Sequence, residues 1–119
     1  MSITNIGKFQ KRSEHLQQWN ERDVCILEGG AGTKLQWGTN WICIDGALSM
    51  SIEMYPEDPR WKQETLIITS GKKTLYFRSV EGGPSNADLQ IAITGAQGRA
   101  ARGEQRPAHD IPATLRESL

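Results

Sequence analysis

Asp45-Gly46 lies between two apolar runs, Trp41 to Ile44 and Ala47 to Met54, and no other stretch limits the fold as tightly. Asp-Gly is a favoured pair for a type I′ turn, whose two central residues both need positive φ. A two-residue turn here sets Cys43 opposite Leu48 and Trp41 opposite Met50. Residues opposed across two strands share a face. Trp41, Cys43, Leu48, Met50, Ile52 and Met54 are therefore expected on a buried side, and Asn40, Ser49, Ser51 and Glu53 on a wet one. The expectation is a small antiparallel β protein.

Other segments fit that frame. Gly71-Lys72 suits a type II′ turn, which wants glycine at its first central position, and it pairs Ile68 with Leu75, Leu66 with Phe77, Ile67 with Tyr76 and Thr69 with Thr74. Asp23 to Glu28 reads as a strand with Val24 and Ile26 on one side, and Lys34 to Trp37 as another, with Gly38 at a kink. Asp88 to Thr94 reads as a last strand, its Leu89, Ile91 and Ile93 alternating with Gln90, Ala92 and Thr94. Pro56 and Pro59 cannot donate to a ladder, so Tyr55 to Trp61 ends the strand before it.

Residues 2–22 read differently. Ile6, Phe9, Leu16 and Trp19 recur near a 3.6-residue period, which places an amphipathic helix over about residues 6–21. On its wheel Lys8, Lys11, Arg12, His15 and Arg22 share a face. From Gly95 onward large apolar residues are sparse, so 95–119 is expected to be a flexible tail. The chain of 119 residues is long enough for one core without disulfides or metal. The fold class expected is mainly β, an antiparallel β-sandwich or partly open barrel of six to seven strands. It has one N-terminal amphipathic helix, with a single domain over 1–94 and the tail after it.

Charge excludes little. The 14 basic and 14 acidic side chains cancel, so bulk charge selects neither a polyanion nor a mimic of one. Basic residues gather slightly at the two ends and acidic ones in the middle. Cys25 and Cys43 have no C-x-x-C spacing and no histidine cluster, which argues against structural zinc. With no apolar leader at the N-terminus and no run of 18 apolar residues, the expectation is reduced thiols in a soluble, cytoplasmic protein that does not engage a membrane.

No catalytic motif emerges. Gly29-Gly30-Ala31-Gly32-Thr33-Lys34 follows a strand, but a phosphate loop needs lysine before Ser or Thr and a helix after it. Ser70 to Thr74 lacks the required glycine at Leu66. His15 and His109 have no local partner for Ser or Cys, and Glu53, Glu57 and Asp58 form an acidic loop that needs no function to explain it. The reading is no enzyme, no cofactor, no metal and no small-molecule substrate.

Two interaction readings remain. The leading one is a protein-interaction module, homo-oligomeric or bound to another protein. Its contacts are Trp37, Tyr55, Arg60 and Trp61, aromatic and Arg residues of the kind that anchor interfaces. Its size suits a viral, phage or mobile-element accessory protein such as an inhibitor, immunity or assembly factor. The alternative is an RNA- or DNA-binding protein. Lys8, Lys11, Arg12, His15 and Arg22 follow phosphates, Trp19 stacks on a base, and Arg99 and Arg102 add a flexible contact.

Overall fold

Alternation of apolar and polar residues builds most of this chain. In a computed structural model that describes residues 1–13, 18–30, 32–54 and 63–103, the elements are β1 (Ser2–Arg12), β2 (Trp19–Gly29), β3 (Gly32–Trp37) and β4 (Asn40–Cys43), then β5 (Leu48–Met54), β6 (Glu64–Ser70), β7 (Lys73–Ser79) and α1 (Asn86–Ala101). The strands form one antiparallel sheet in the order β4-β3-β2-β1-β7-β6-β5. Val24 and Ile26, Leu35 and Trp37, Leu66 and Ile68, and Leu75 and Phe77 line its inner face together with Phe9 and Ile42. Burying each such side chain contributes about 1.5–3 kcal/mol.

The sheet curls around that core. Trp37 on β3 and Phe77 on β7 are three strand spacings apart, about 14 Å in a flat sheet. Their rings nevertheless meet edge to face with centroids 5.8 Å apart. A bulge between Asn5 and Gly7 helps to bend β1, so that only Phe9 to Lys11 also pair with β7. Gly7 has φ 140, and a Cβ there would lie 2.7 Å from Pro84 Cδ. Backbone and close approach both demand glycine.

α1 closes the concave side. Ser85 accepts from the Asp88 N–H while the Asp88 carboxylate accepts from the Ser85 N–H, a capping box that starts the helix. The Ser85 backbone N–H first, and then the Ser85 hydroxyl, hold the Asp88 carboxyl below its ordinary pKa. Leu89, Ile93 and Ala96, one helical face, are fully buried. The Arg99 guanidinium meets buried Glu28 of β2 through two parallel hydrogen bonds, Nε to Oε2 at 2.9 Å and Nη2 to Oε1 at 2.8 Å.

Several expectations are corrected here. The fold is mainly β, but it is one open sheet rather than a sandwich, since β4 and β5 are both edges. The helix is at residues 86–101, not at the N-terminus, where β1 and β2 pair from Ser2 to Glu28 through Arg12 to Trp19. The bulge explains the false helical period. It shifts the phase by one, so Ile6 and Phe9 face the same side three residues apart. The strand expected over Asp88 to Thr94 is the first half of α1, and Ile91, assigned inward, is 69% exposed. The expected boundary at residue 94 falls inside α1, and only 104–119 of the expected tail lie outside the described residues.

The Asp45-Gly46 hairpin is also corrected. β4 pairs with β3 and β5 with β6, so the dipeptide joins the two opposite edges of the sheet. Asp45 Oδ1 accepts from the Ala47 N–H and the Asp45 carbonyl from the Leu48 N–H, forming a side-chain-stabilised turn. Leu48 is buried as expected, with Met50 and Ile52 packed against the core, but Ile42 on β4 and Ile44 just after it are inside while Trp41 and Cys43 are outside. The Gly71-Lys72 hairpin has the expected register at all four pairs, and Gly71 has φ 61.

Candidate functional site

The residues singled out from sequence do not converge. Trp37, expected as an interface anchor, is 3% exposed and belongs to the core. Tyr55, Arg60, Trp61 and His15 lie outside the described residues, as do Glu57 and Asp58. The basic residues are on strands rather than one helical face, and alternation divides them. Lys8 is exposed on the outer face opposite Asp23, and Arg12 is there opposite Trp19. Lys11 points inward, with Nζ 5.3 Å from the Trp37 ring centroid and donating to the Arg12 carbonyl at 3.0 Å. Arg22 is exposed and donates to the Glu21 carbonyl. Arg78, which the sequence reading passed over, stacks on Trp19 with Cζ 4.1 Å from its centroid and donates to Gln10 at 2.6 Å. Burial pulls its guanidinium below the ordinary pKa. Arg99 is held by Glu28, and Arg102 is the C-cap of α1.

Glu53 is exposed and accepts from Ser51 Oγ at 2.8 Å. Among the described residues, no three His, Cys, Asp or Glu side chains are grouped as a metal would need. Both cysteines are free thiols. Cys25 is half-buried, with burial raising its pKa, and Cys43 is exposed. Trp41 is 50% exposed at the sheet edge, with Lys34 Nζ 4.2 Å from its ring centroid. No described helix is long and apolar enough to cross a membrane.

What the fold does assemble, among the described residues, is a pair of open edges. Backbone groups along a strand point alternately to its two neighbours. The Ile44 N–H donates to the Thr33 carbonyl of β3, so Trp41 and Cys43 direct their N–H and C=O groups away from the sheet. On β5 the Leu48 N–H bonds the Asp45 carbonyl, and the Leu48 carbonyl accepts from Gln97 Nε2 at 2.8 Å, so neither points at β6. By alternation Met50, Ile52 and Met54 also point outward. No described residue bonds those groups. β5 is seven residues long and carries neither Lys nor Pro, two of the usual guards of an edge.

α1 runs beside this edge. Gln97 is tied to the start of β5, while Asn86 Nδ2 donates at 2.9 Å to the carbonyl of Glu64, which is paired with Met54 at its end. At the Asn86 end opens a cavity of about 390 Å³ lined by Ile52, Gln63, Glu64, Ser79, Asn86 and Ala87. Sequence reasoning saw the Met50, Ile52 and Met54 alternation but had no signal for which strand is an edge, because that depends on long-range pairing. Neither a protein-family model, nor a curated protein, nor a solved structure matches the chain.

Proposed function

We propose that this protein is a non-enzymatic interaction module that engages another polypeptide by strand addition at an open edge of its sheet. The observation that carries the reading is β5, whose Met50, Ile52 and Met54 backbone groups face outward beside a cavity. Main-chain hydrogen bonds supply affinity in such an interaction, and side-chain pockets supply selectivity. A second copy of the chain is one partner this reading allows, through β4 or β5.

Proline gives a clean test. At a position whose N–H already points off the sheet it removes no internal hydrogen bond but blocks an added strand. Met54→Pro and Cys43→Pro are such substitutions on β5 and β4. Binders selected from a displayed random-peptide library are expected to lose the protein when one of them is made. Binders unaffected by both would overturn the reading.

A nucleic-acid interface is the second reading. It is favoured by Lys8, Arg12 and Trp19 sharing the outer face of β1 and β2, although Asp23 and Glu21 are interleaved with them and Arg22, opposite Phe9, is on the other face. It predicts a salt-dependent affinity for short RNA or DNA that falls when Lys8 and Arg12 are neutralised.

A further inference from the structure

We infer that the β5 edge, and not β4, is the docking strand, and that its occupant is an extended, alternately apolar polypeptide segment carrying Lys or Arg near the Met54 end. This rests on the interaction reading above and assigns its site and the chemistry of its partner.

The two edges are unequal. β4 offers outward backbone groups at Trp41 and Cys43 alone, along a strand of four residues. β5 offers them at Met50, Ile52 and Met54 along seven residues, and α1 forms a wall parallel to it. The side chains of Met50 and Ile52 face the core side and are only partly buried. A strand added beside them therefore places alternate side chains between β5 and α1, next to Ile52 and Ala87. That alternation is what makes the occupant apolar at every second residue.

Charge selects the rest. Among the described residues that line the cavity the charged one is Glu64, exposed and paired with Met54. Asp88, one turn into α1, is exposed at the same end, and Glu53 precedes Met54 on the other face. Asn86 is nine-tenths buried on the wall, spends its Nδ2 on the Glu64 carbonyl and leaves Oδ1 without a hydrogen-bond partner. The carboxylates and the unspent acceptor all favour a donor or a cation over an anion.

Three synthetic ten-residue peptides alternating valine with lysine, glutamine or glutamate test this on the full chain. Affinity is read by fluorescence anisotropy at low and moderate salt, and the docking strand by hydrogen exchange of the backbone amides. The lysine peptide is expected to bind at least about fivefold more tightly than the glutamate peptide at low salt, with the gap shrinking as salt rises. Binding should slow exchange at Met50, Ile52 and Met54 but not at Trp41 and Cys43. Met54→Pro should abolish it, and Glu64→Lys should reverse the charge preference while leaving the fold intact.

Protection of the β5 amides with no charge preference would overturn the basic occupant and leave the interaction module standing. Protection at Trp41 and Cys43 instead would overturn the choice of β5. Lack of protection at either edge with any peptide, together with no proline-sensitive binder from the library, would end both.

Discussion

Replacing Arg99 by methionine is expected to destabilise the fold through the charge it strands. The Glu28 carboxylate is 1% exposed and meets the guanidinium along two parallel hydrogen bonds of 2.9 and 2.8 Å. Removing one partner of a buried pair costs about 3–5 kcal/mol, because the other charge is left in a poorly solvated place. The Arg99 side chain keeps 24% of its exposure, so water reaches one side of the pair and the lower figure, about 3 kcal/mol, is expected. For a body of this size that lowers the melting temperature by roughly 12 °C. In the variant the buried Glu28 carboxyl, deprived of the guanidinium, has its folded pKa raised above the unfolded value. The folded state then binds more protons, so the variant regains stability as pH falls from 7 towards 5. Glu28→Gln added to Arg99→Met should recover part of the loss at pH 7. Thermal unfolding followed by circular dichroism at both pH values measures all of this. A shift under about 3 °C at pH 7, or one unchanged at pH 5, would refute the claim that this pair fastens α1 to the sheet.

Other substitutions probe the core and its exposed rim. Gly7→Ala, with φ 140 and Pro84 at 2.7 Å from the added Cβ, should cost about 1–3 kcal/mol in urea unfolding, and a change under about 0.5 kcal/mol would contradict the tight approach. Trp37→Ala should cost about 3–5 kcal/mol, whereas Trp41→Ala at the exposed edge should stay within about 1 kcal/mol. Acrylamide should quench Trp41 and spare Trp37, as read on single-tryptophan variants. A soluble disulfide reagent at pH 7.5 should modify exposed Cys43 faster than Cys25, whose thiol is half-buried with its pKa raised, and the reverse order would contradict that placement.

Much of the sheet is legible locally. In β6 and β7 the alternation of Leu66, Ile68, Leu75 and Phe77 and the turn residue Gly71 all lie within one hairpin, so a local reading captures the register. β2 and β3 are legible in part: Asp23 to Glu28 and Lys34 to Trp37 read as strands, but the start of β2 at Trp19 reads as helix and the register between the two strands is not read. α1 and β1 mislead because each contains two overlapping periods. Leu89 and Ile93 fit a strand and a helix alike, and Ser85 with Asp88, the capping pair just before Leu89, is the sign that separates them. On β1 the bulge before Gly7 turns a two-residue period into an apparent three-residue step. The candidate site was less legible still: Trp37 became core and Arg99 a fastening for α1, while the groove beside β5 joins residues from β5, β6, β7 and α1 that sequence order keeps apart.

By itself the sequence determined that this chain is mainly β, where most strands lie and which glycine makes the tight turn at Gly71-Lys72, since these follow from side-chain alternation and φ preferences a few residues wide. Tertiary structure alone decided that Asp45-Gly46 crosses from one edge of the sheet to the other, that β1 joins β7, and that β5 is an edge strand beside α1. Those outcomes turn on which distant strand captures which backbone donors and acceptors. Every strand offers the same hydrogen-bonding groups, so it is the curl of the whole sheet around Trp37, Phe77, Leu89 and Ile93 that settles the pairing.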